Sequence, residues 1–214
     1  VLHLDSPSLP AEKNRELSME SYKEGDKNIP FRVLDEFSGS ELSGLNYEQL
    51  LPWVNPGKGA FRVLTGDFVT TEDGTGIVHI APTFGADDYR VAKENGIPAL
   101  LVTDKEGNLQ PLVDKKGRFI PVEDLDVSFA KEFVNRSAYG PFASRYVKNE
   151  YDESIPPDAP TTDVDIAVSL KLEGKAFRIE KYVHNYPHCW RTDKPVLYYP
   201  LDAWFIRTTA MKDR

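Results

Sequence analysis

A histidine and a pair of adjacent carboxylates lie close together in the stretch from Gly74 to Tyr89. A glycine-containing turn precedes His79, and a short loop separates the histidine from Asp87 and Asp88. A carboxylate in a cleft can hold an ammonium group, and a histidine can shape or polarise the same pocket. These residue types at this spacing predict an ion-binding or hydrolytic pocket.

Each of these residues also has a structural interpretation. A histidine in a short apolar strand is more often packed than catalytic, and Asp87 and Asp88 suit the positive end of a helix dipole. The placement of the histidine and both aspartates within one short stretch favours a functional site. The turn at 74–76 lets backbone approach a ligand closely, and the loop at 82–85 can bring the strand end and the helix start to one cleft. On residue chemistry alone the two interpretations are equally open.

A second candidate group, near the carboxyl end, consists of His184, His188 and Cys189. The two histidines have the spacing of zinc ligands on a helix. Pro187 lies between them, the flanking segments are predicted to be extended, and no fourth ligand is evident. The sequence therefore predicts no metal site, and a metal-dependent hydrolase is kept as an alternative.

The elements that would carry these residues are short and separated by glycine and proline. This pattern predicts an α+β fold centred on a closed or nearly closed β-barrel. Strands or extended segments are predicted at 30–37, 60–70 (turning at 65–67), 77–80, 97–103, 109–113, 119–122, 176–182, 196–199 and 203–207. Helices are predicted at 86–95, 122–137 and 163–171, the last capped by Asp163, with the main loop at 150–162.

Composition limits the class of protein. The chain has 214 residues, 40% of them hydrophobic, and a net charge of −8. This charge argues against a dedicated nucleic-acid binder, although an acidic module of a larger nucleic-acid enzyme stays open. The single cysteine excludes an internal disulfide, and no apolar run approaches the roughly 20 residues that span a membrane. Because the chain begins with Val1 and not methionine, we expect it to be a piece of a longer protein.

The stretch 70–89 resembles the editing domain of isoleucyl-tRNA synthetases, which is inserted in the catalytic domain of these class I enzymes. The resemblance continues through 174–182 and ends with 186–193 and 203–206, so that it covers the chain from about residue 20 onward. Valyl- and leucyl-tRNA synthetases carry similar insertions, but their residue at the position of His79 is typically not histidine. The run from Val78 to Pro82, followed by Asp87 and Asp88, fits the isoleucyl branch. The loop Thr83-Phe84-Gly85 departs from the usual Gly-His-Gly.

The resemblance implies a role for each matching residue. Asp88 would hold the α-ammonium group of a misattached amino acid, and His79 would limit the size of its side chain and contact the terminal adenosine. Both are implied to be catalytic. The implied substrate-binding residues are Gly74, Thr75, Gly76, Val78, Ile80, Ala81, Pro82 and Asp87. The reaction would be hydrolysis of Val-tRNA(Ile), and secondarily of valyl-adenylate.

The resemblance implies an editing site in addition to the synthesis site, and the need for this second site is energetic. One missing methylene is worth only about 1–3 kcal/mol, a limit for which isoleucyl-tRNA synthetase is itself the standard example. By resemblance, editing needs no cofactor, whereas ATP and Mg²⁺ serve the parent enzyme's catalytic domain. The implied partners are the valine-carrying 3′ end of tRNA(Ile) and the rest of the synthetase, without a membrane, in the cytoplasm.

The resemblance also predicts the organisation of the chain. Residues 1–185 would form an editing domain that lacks its upstream threonine-rich strand, and residues 186–214 would return toward the catalytic domain. The HIGH-type and KMSKS-type ATP signatures do not occur. We therefore expect no aminoacylation and weak or absent deacylation by the isolated chain. A non-catalytic module that docks the acceptor end of tRNA is the other alternative.

Overall fold

The computed structural model describes residues 34–70, 76–156, 158–176, 179, 181, 183, 185–201, 203–204 and 206–212. The chain divides into two compact units. The first contains the described residues of Val1–Glu48 and Phe61–Ile80, and the second those of Gln49–Ala60 and Ala81–Arg214. The predicted boundary after residue 185 stays a prediction.

The second unit contains a two-stranded antiparallel sheet. Strand β1 (Leu101–Thr103) pairs with β2 (Leu109–Pro111), with Val102 opposite Gln110. Asp104 closes the connecting turn, because its Oδ1 accepts the backbone N–H groups of Glu106 at 3.0 Å and Asn108 at 2.8 Å. Hydrogen bonds lower the pKa of the Asp104 carboxyl group below its ordinary value, and the bond from the Asn108 backbone N–H contributes most. The predicted strand at 97–103 is thus confirmed over its last three residues.

A second turn of the same design follows at once. Asp114 accepts the backbone N–H groups of Lys116 and Arg118 at 2.8 and 2.9 Å, and Gly117 has a φ of +78°. An isolated bridge then pairs Val113 with Phe119. Aspartate side chains that bond backbone groups two and four residues further along the chain stabilise such turns.

Four α-helices are described: α1 (Ala86–Glu94), α2 (Val127–Phe133), α3 (Arg136–Tyr139) and α4 (Thr162–Leu172). Short 3₁₀ helices cover Gly39–Leu42, Val122–Asp124, Asn149–Tyr151 and Thr208–Met211. Helix α1 confirms the prediction for 86–95, and Gly96, with a φ of +64°, ends it in the left-handed conformation that favours glycine. Helix α4 begins after Thr161, so Asp163 lies in its first turn and is not its cap.

The continuous helix predicted at 122–137 is wrong. Leu125 forms a bridge with Asp104, and the Asp126 side chain then caps α2 by accepting the N–H of Phe129 at 2.8 Å. Val134 forms another bridge, with Val54, before α3 begins after Asn135. Bridges to distant segments and two side-chain caps therefore divide the apolar face into three short helical pieces.

The core of the second unit is built around aromatic rings. Trp53 stacks on Phe142, with ring centroids 4.7 Å apart, and meets Phe119 edge-on at 5.3 Å. Tyr139 is fully buried, and its hydroxyl donates to the Ile120 carbonyl at 2.6 Å. Burial raises the pKa of the Tyr139 hydroxyl, which therefore stays protonated. The other core residues are Val54, Val102, Leu112, Leu125, Ala130 and Val134.

The first unit is held by hydrogen bonds between the segments 44–47 and 61–63. Gly44 donates to the Val63 carbonyl at 2.9 Å, and Tyr47 donates to that of Phe61 at 3.0 Å. A bridge between Asn46 and Arg62 lies between these bonds. The predicted strand pair within 60–70 is wrong, because residues 61–63 pair with the upstream segment instead.

The mixed helix and strand class is confirmed. Within the described residues there is one two-stranded sheet with isolated bridges and no closed barrel, so the barrel stays a prediction. Residues 34–37 and 196–199 form no strand, and neither do 203, 204, 206 and 207. Most of the predicted strand 176–182 lies outside the described residues. In the described part of the chain, no helix is both long and apolar enough to cross a membrane.

Candidate functional site

Asp88 lies at the third position of α1, and its carboxylate folds back over the start of the helix. Oδ2 accepts the backbone N–H of Ala81 at 3.0 Å, a bond between residues seven positions apart. The loop between them closes on itself, because Phe84 donates to the Ala81 carbonyl at 3.0 Å. Asp88 is half-buried. One carboxylate oxygen is thus fixed by the loop, and the described residues offer no hydrogen-bond partner for Oδ1.

The glycine before α1 lies directly beneath this carboxylate. A Cβ at Gly85 would lie 2.6 Å from Asp88 Oδ2 and 2.8 Å from its Cγ. The backbone of Gly85 is extended, with φ −123° and ψ 139°, and its carbonyl accepts the N–H of Tyr89 at 2.8 Å. The carboxylate can occupy this position because residue 85 carries no side chain.

Asp87 has a different environment from its neighbour. Its side chain is 75% exposed and lies 3.9 Å from the Arg90 guanidinium, which is also 3.7 Å from Glu94. Exposed pairs of this kind contribute about 0–1 kcal/mol. The structure therefore distinguishes the two aspartates, because only Asp88 is hydrogen-bonded to the preceding loop. A substrate-binding role for Asp87 stays a prediction.

His79 has an exposed side chain at the end of the first unit. Residues 76–80 form no strand, so that prediction is wrong, and Ile77 and Val78 are about half exposed. Exposure excludes the packed-histidine interpretation of His79. His79 and Asp88 belong to different units of the structure.

The structure describes only some of the remaining predicted site residues. Gly74 and Thr75 lie outside the described residues. Gly76 has a φ of +72°, the left-handed conformation that a tight turn requires of glycine. Ile80, Ala81 and Pro82 are half-buried. Their roles toward a substrate stay predictions.

An aromatic contact supports the loop that precedes α1. The Phe84 ring meets the Tyr199 ring edge-on, with centroids 6.3 Å apart. Burial, and the nearby Asp114 carboxylate, raise the pKa of the Tyr199 hydroxyl. No pattern in the sequence predicts this contact, because 115 positions separate the two residues. For Gly85, the sequence predicts only a position in the loop at 82–85.

Two of the three candidate metal ligands, His188 and Cys189, lie in and beside a tight turn. Cys189 donates its backbone N–H to the Lys194 carbonyl at 2.9 Å, and Asp193 donates back to the Cys189 carbonyl at 2.8 Å. His188 Nδ1 lies 2.9 Å from the Tyr186 carbonyl. Hydrogen bonds, the strongest from the Thr192 hydroxyl, lower the pKa of the Cys189 thiol.

His184 lies outside the described residues. Among those described, no group of three or more histidine, cysteine, aspartate or glutamate side chains is arranged to hold a metal ion. The metal-dependent alternative therefore stays a prediction.

The sequence is similar to a segment of much longer aminoacyl-tRNA ligases. No family model matches the chain. The relatives are isoleucine–tRNA ligases: that of Bacteroides fragilis is 59% identical over 202 residues, or 94% of this chain. That of Porphyromonas gingivalis is 61% identical over 193 residues, or 90% of the chain. The resemblance to isoleucyl-tRNA synthetases is thus confirmed. The chain spans 17–18% of the length of these relatives.

Proposed function

We propose that this chain is the editing region of an isoleucyl-tRNA synthetase and hydrolyses Val-tRNA(Ile), and secondarily valyl-adenylate. The observation that carries the proposal is the Asp88 carboxylate, half-buried at the start of α1 with Oδ2 held by the Ala81 N–H. The similarity to isoleucine–tRNA ligases supplies the substrate class.

Asp88 is suited to hold the α-ammonium group of the attached amino acid. A carboxylate fixed through one oxygen keeps its orientation, and the other oxygen can accept a charge-assisted hydrogen bond. Partial burial strengthens that bond relative to a fully hydrated pair, since the local dielectric constant is lower. In this proposal Asp88 anchors the substrate and places its ester carbonyl, and it does not attack the ester.

His79 supplies the size limit in this proposal. Its ring is exposed, so it can meet a substrate and is not occupied in a core. Valine and isoleucine differ by one methylene, which a synthesis pocket discriminates poorly. A second site that admits valine and rejects isoleucine by steric exclusion corrects this error.

The proposed reaction needs water and no resident metal or nucleotide. The attacking water would lie beside the ester carbonyl, with help from a ribose hydroxyl of the terminal adenosine. ATP and Mg²⁺ belong to the synthesis reaction in another part of the enzyme. The proposed partners are the 3′ end of tRNA(Ile) and the rest of the synthetase, in the cytoplasm. The barrel and the class I architecture belong to the same proposal.

Deacylation assays test the function. The complete synthetase that carries this segment is incubated with labelled Val-tRNA(Ile) and, separately, Ile-tRNA(Ile), and release of the amino acid is followed. We expect release of valine and little release of isoleucine, with much slower release by the 214-residue chain. Binding of tRNA by the complete synthetase without any hydrolysis would replace this function by the docking module.

Replacing His79 with alanine in the complete synthetase is expected to open the site to isoleucine. Release of isoleucine from Ile-tRNA(Ile) should rise about tenfold or more, because the steric stop worth about 1–3 kcal/mol is removed. His188→Ala is the matched control, since His188 is also exposed and lies in the 188–195 turn. If Ile-tRNA(Ile) stays intact in His79→Ala, the size limit lies elsewhere.

A further inference from the structure

We propose that Gly85 is a positioning residue for Asp88, and that the absent side chain at position 85 sets the orientation of the substrate-anchoring carboxylate. The inference rests on the proposed function for what the carboxylate binds. The local geometry that supports it belongs to one unit of the structure and is independent of that function.

The space above Gly85 is filled by one side chain. The three heavy atoms nearest to a Cβ at this position are Oδ2, Cγ and Cβ of Asp88, at 2.6, 2.8 and 3.1 Å. Separations below 3.0 Å do not occur for real Cβ atoms, so a methyl group and the carboxylate cannot both stay where they are. The two atoms closer than 3.0 Å, Oδ2 and Cγ, move when the Asp88 side chain rotates about its Cα–Cβ bond, and none of the three atoms belongs to the backbone.

The backbone at this position would tolerate alanine. Gly85 has an extended conformation that any residue adopts, so strain is not the reason for a glycine here. Gly85 is also the N-cap of α1, where replacing glycine with alanine costs roughly 0.5–1 kcal/mol. This cost is a small part of a typical unfolding free energy of about 5–15 kcal/mol, so the fold should persist while the methyl group displaces the carboxylate.

Rotation of Asp88 has a defined consequence. Oδ2 would leave the Ala81 N–H, the hydrogen bond that now ties residues 81–84 to α1. The carboxylate would then lose its fixed orientation, and Oδ1 would no longer be presented in one direction. For an anchoring group, loss of orientation weakens substrate placement even though the charge is still present.

The Ala81 N–H provides a direct measurement that needs no substrate. Amide hydrogen exchange of Ala81 in the 214-residue chain should become several-fold faster in Gly85→Ala, and to a similar extent in Asp88→Ala. Gly39→Ala is the matched control, because nothing lies within 4 Å of a Cβ there and its φ is not left-handed. Unchanged exchange at Ala81 in Gly85→Ala would overturn the inference.

The functional measurement is a double-mutant cycle in the complete synthetase. Gly85→Ala is expected to lower kcat/KM for Val-tRNA(Ile) deacylation about tenfold, mainly through KM. In an Asp88→Ala background the same change should have little further effect, because the methyl group then has no carboxylate to displace. A glycine needed only for folding would instead give additive losses.

The two proposals fail in different ways. If Asp88→Ala leaves deacylation unchanged, the anchoring function is wrong, while the exchange measurement still decides whether Gly85 positions the carboxylate. If Asp88→Ala abolishes deacylation and Gly85→Ala retains wild-type KM, the function stands and Gly85 is not a positioning residue. Additive losses in the cycle also overturn the positioning role.

Discussion

Replacing Asp88 with alanine in the complete synthetase is expected to reduce deacylation of Val-tRNA(Ile) by about 10- to 100-fold. A hydrogen bond to a charged group is worth roughly 1.5–3 kcal/mol, and its loss removes substrate anchoring in the transition state as well as in the bound state. Isoleucine activation by ATP should stay near the wild-type rate, because the proposal assigns synthesis to another part of the enzyme. Single-turnover deacylation and ATP–pyrophosphate exchange measure the two reactions separately.

The control for this variant is Asp163→Ala. Asp163 also lies in the first turn of a helix but is exposed, whereas Asp88 is half-buried. Removing Asp163 therefore matches the loss of charge and the effect on a helix dipole. Deacylation should be unchanged in this control. If both variants lose deacylation of Val-tRNA(Ile) to the same extent, the loss arises from removing a charge at a helix start, and Asp88 is not an anchor.

The residue types predicted the elements whose signals are local. Helix α1 has two aspartates in its first turn and Gly96 just beyond its end, so its limits follow from a dozen consecutive residues. The turns at Asp104 and Asp114 are equally local, because each aspartate bonds backbone groups within four residues. These elements agree with the structure because no distant segment competes with the local signal.

Elements decided by distant contacts were not predictable in the same way. The apolar spacing around Phe129 and Phe133 favours one long helix, but the bridges of Leu125 and Val134 interrupt it. The apolar run that contains Val78 favours a strand, but residues 76–80 form none. Periodicity identifies which face is apolar, whereas pairing depends on where the rest of the chain lies.

At the candidate site, too, the sequence predicts local features and does not predict contacts that depend on the path of the chain. Sequence resemblance selected Asp88, and the helix start at this position was correct. The hydrogen bond from Ala81 and the close approach of Gly85 depend on the path of a four-residue loop, for which no periodic signal exists. Only the three-dimensional structure can therefore show how the carboxylate is oriented and which residue permits that orientation.

The largest effect on stability is expected from Trp53→Ala, which should lower the free energy of unfolding of the 214-residue chain by about 3–5 kcal/mol. Trp53 is only 6% exposed, stacks on Phe142 and contacts Tyr139 with ring centroids 5.7 Å apart. Truncation removes these contacts and leaves a cavity that the surrounding rings fill incompletely. Urea unfolding followed by far-ultraviolet circular dichroism measures the change without depending on tryptophan emission.

Trp204→Ala tests whether the effect belongs to the core, because the Trp204 side chain is fully exposed. Removing an exposed indole deletes the same atoms from the chain without opening a cavity, so the unfolding free energy should change by no more than about 0.5 kcal/mol. A loss in Trp53→Ala below about 1 kcal/mol would mean that the aromatic cluster collapses into the vacated volume. The spread of measured large-to-small effects arises from this capacity of a site to relax, and the buried hydrogen bond from Tyr139 to Ile120 opposes such movement here.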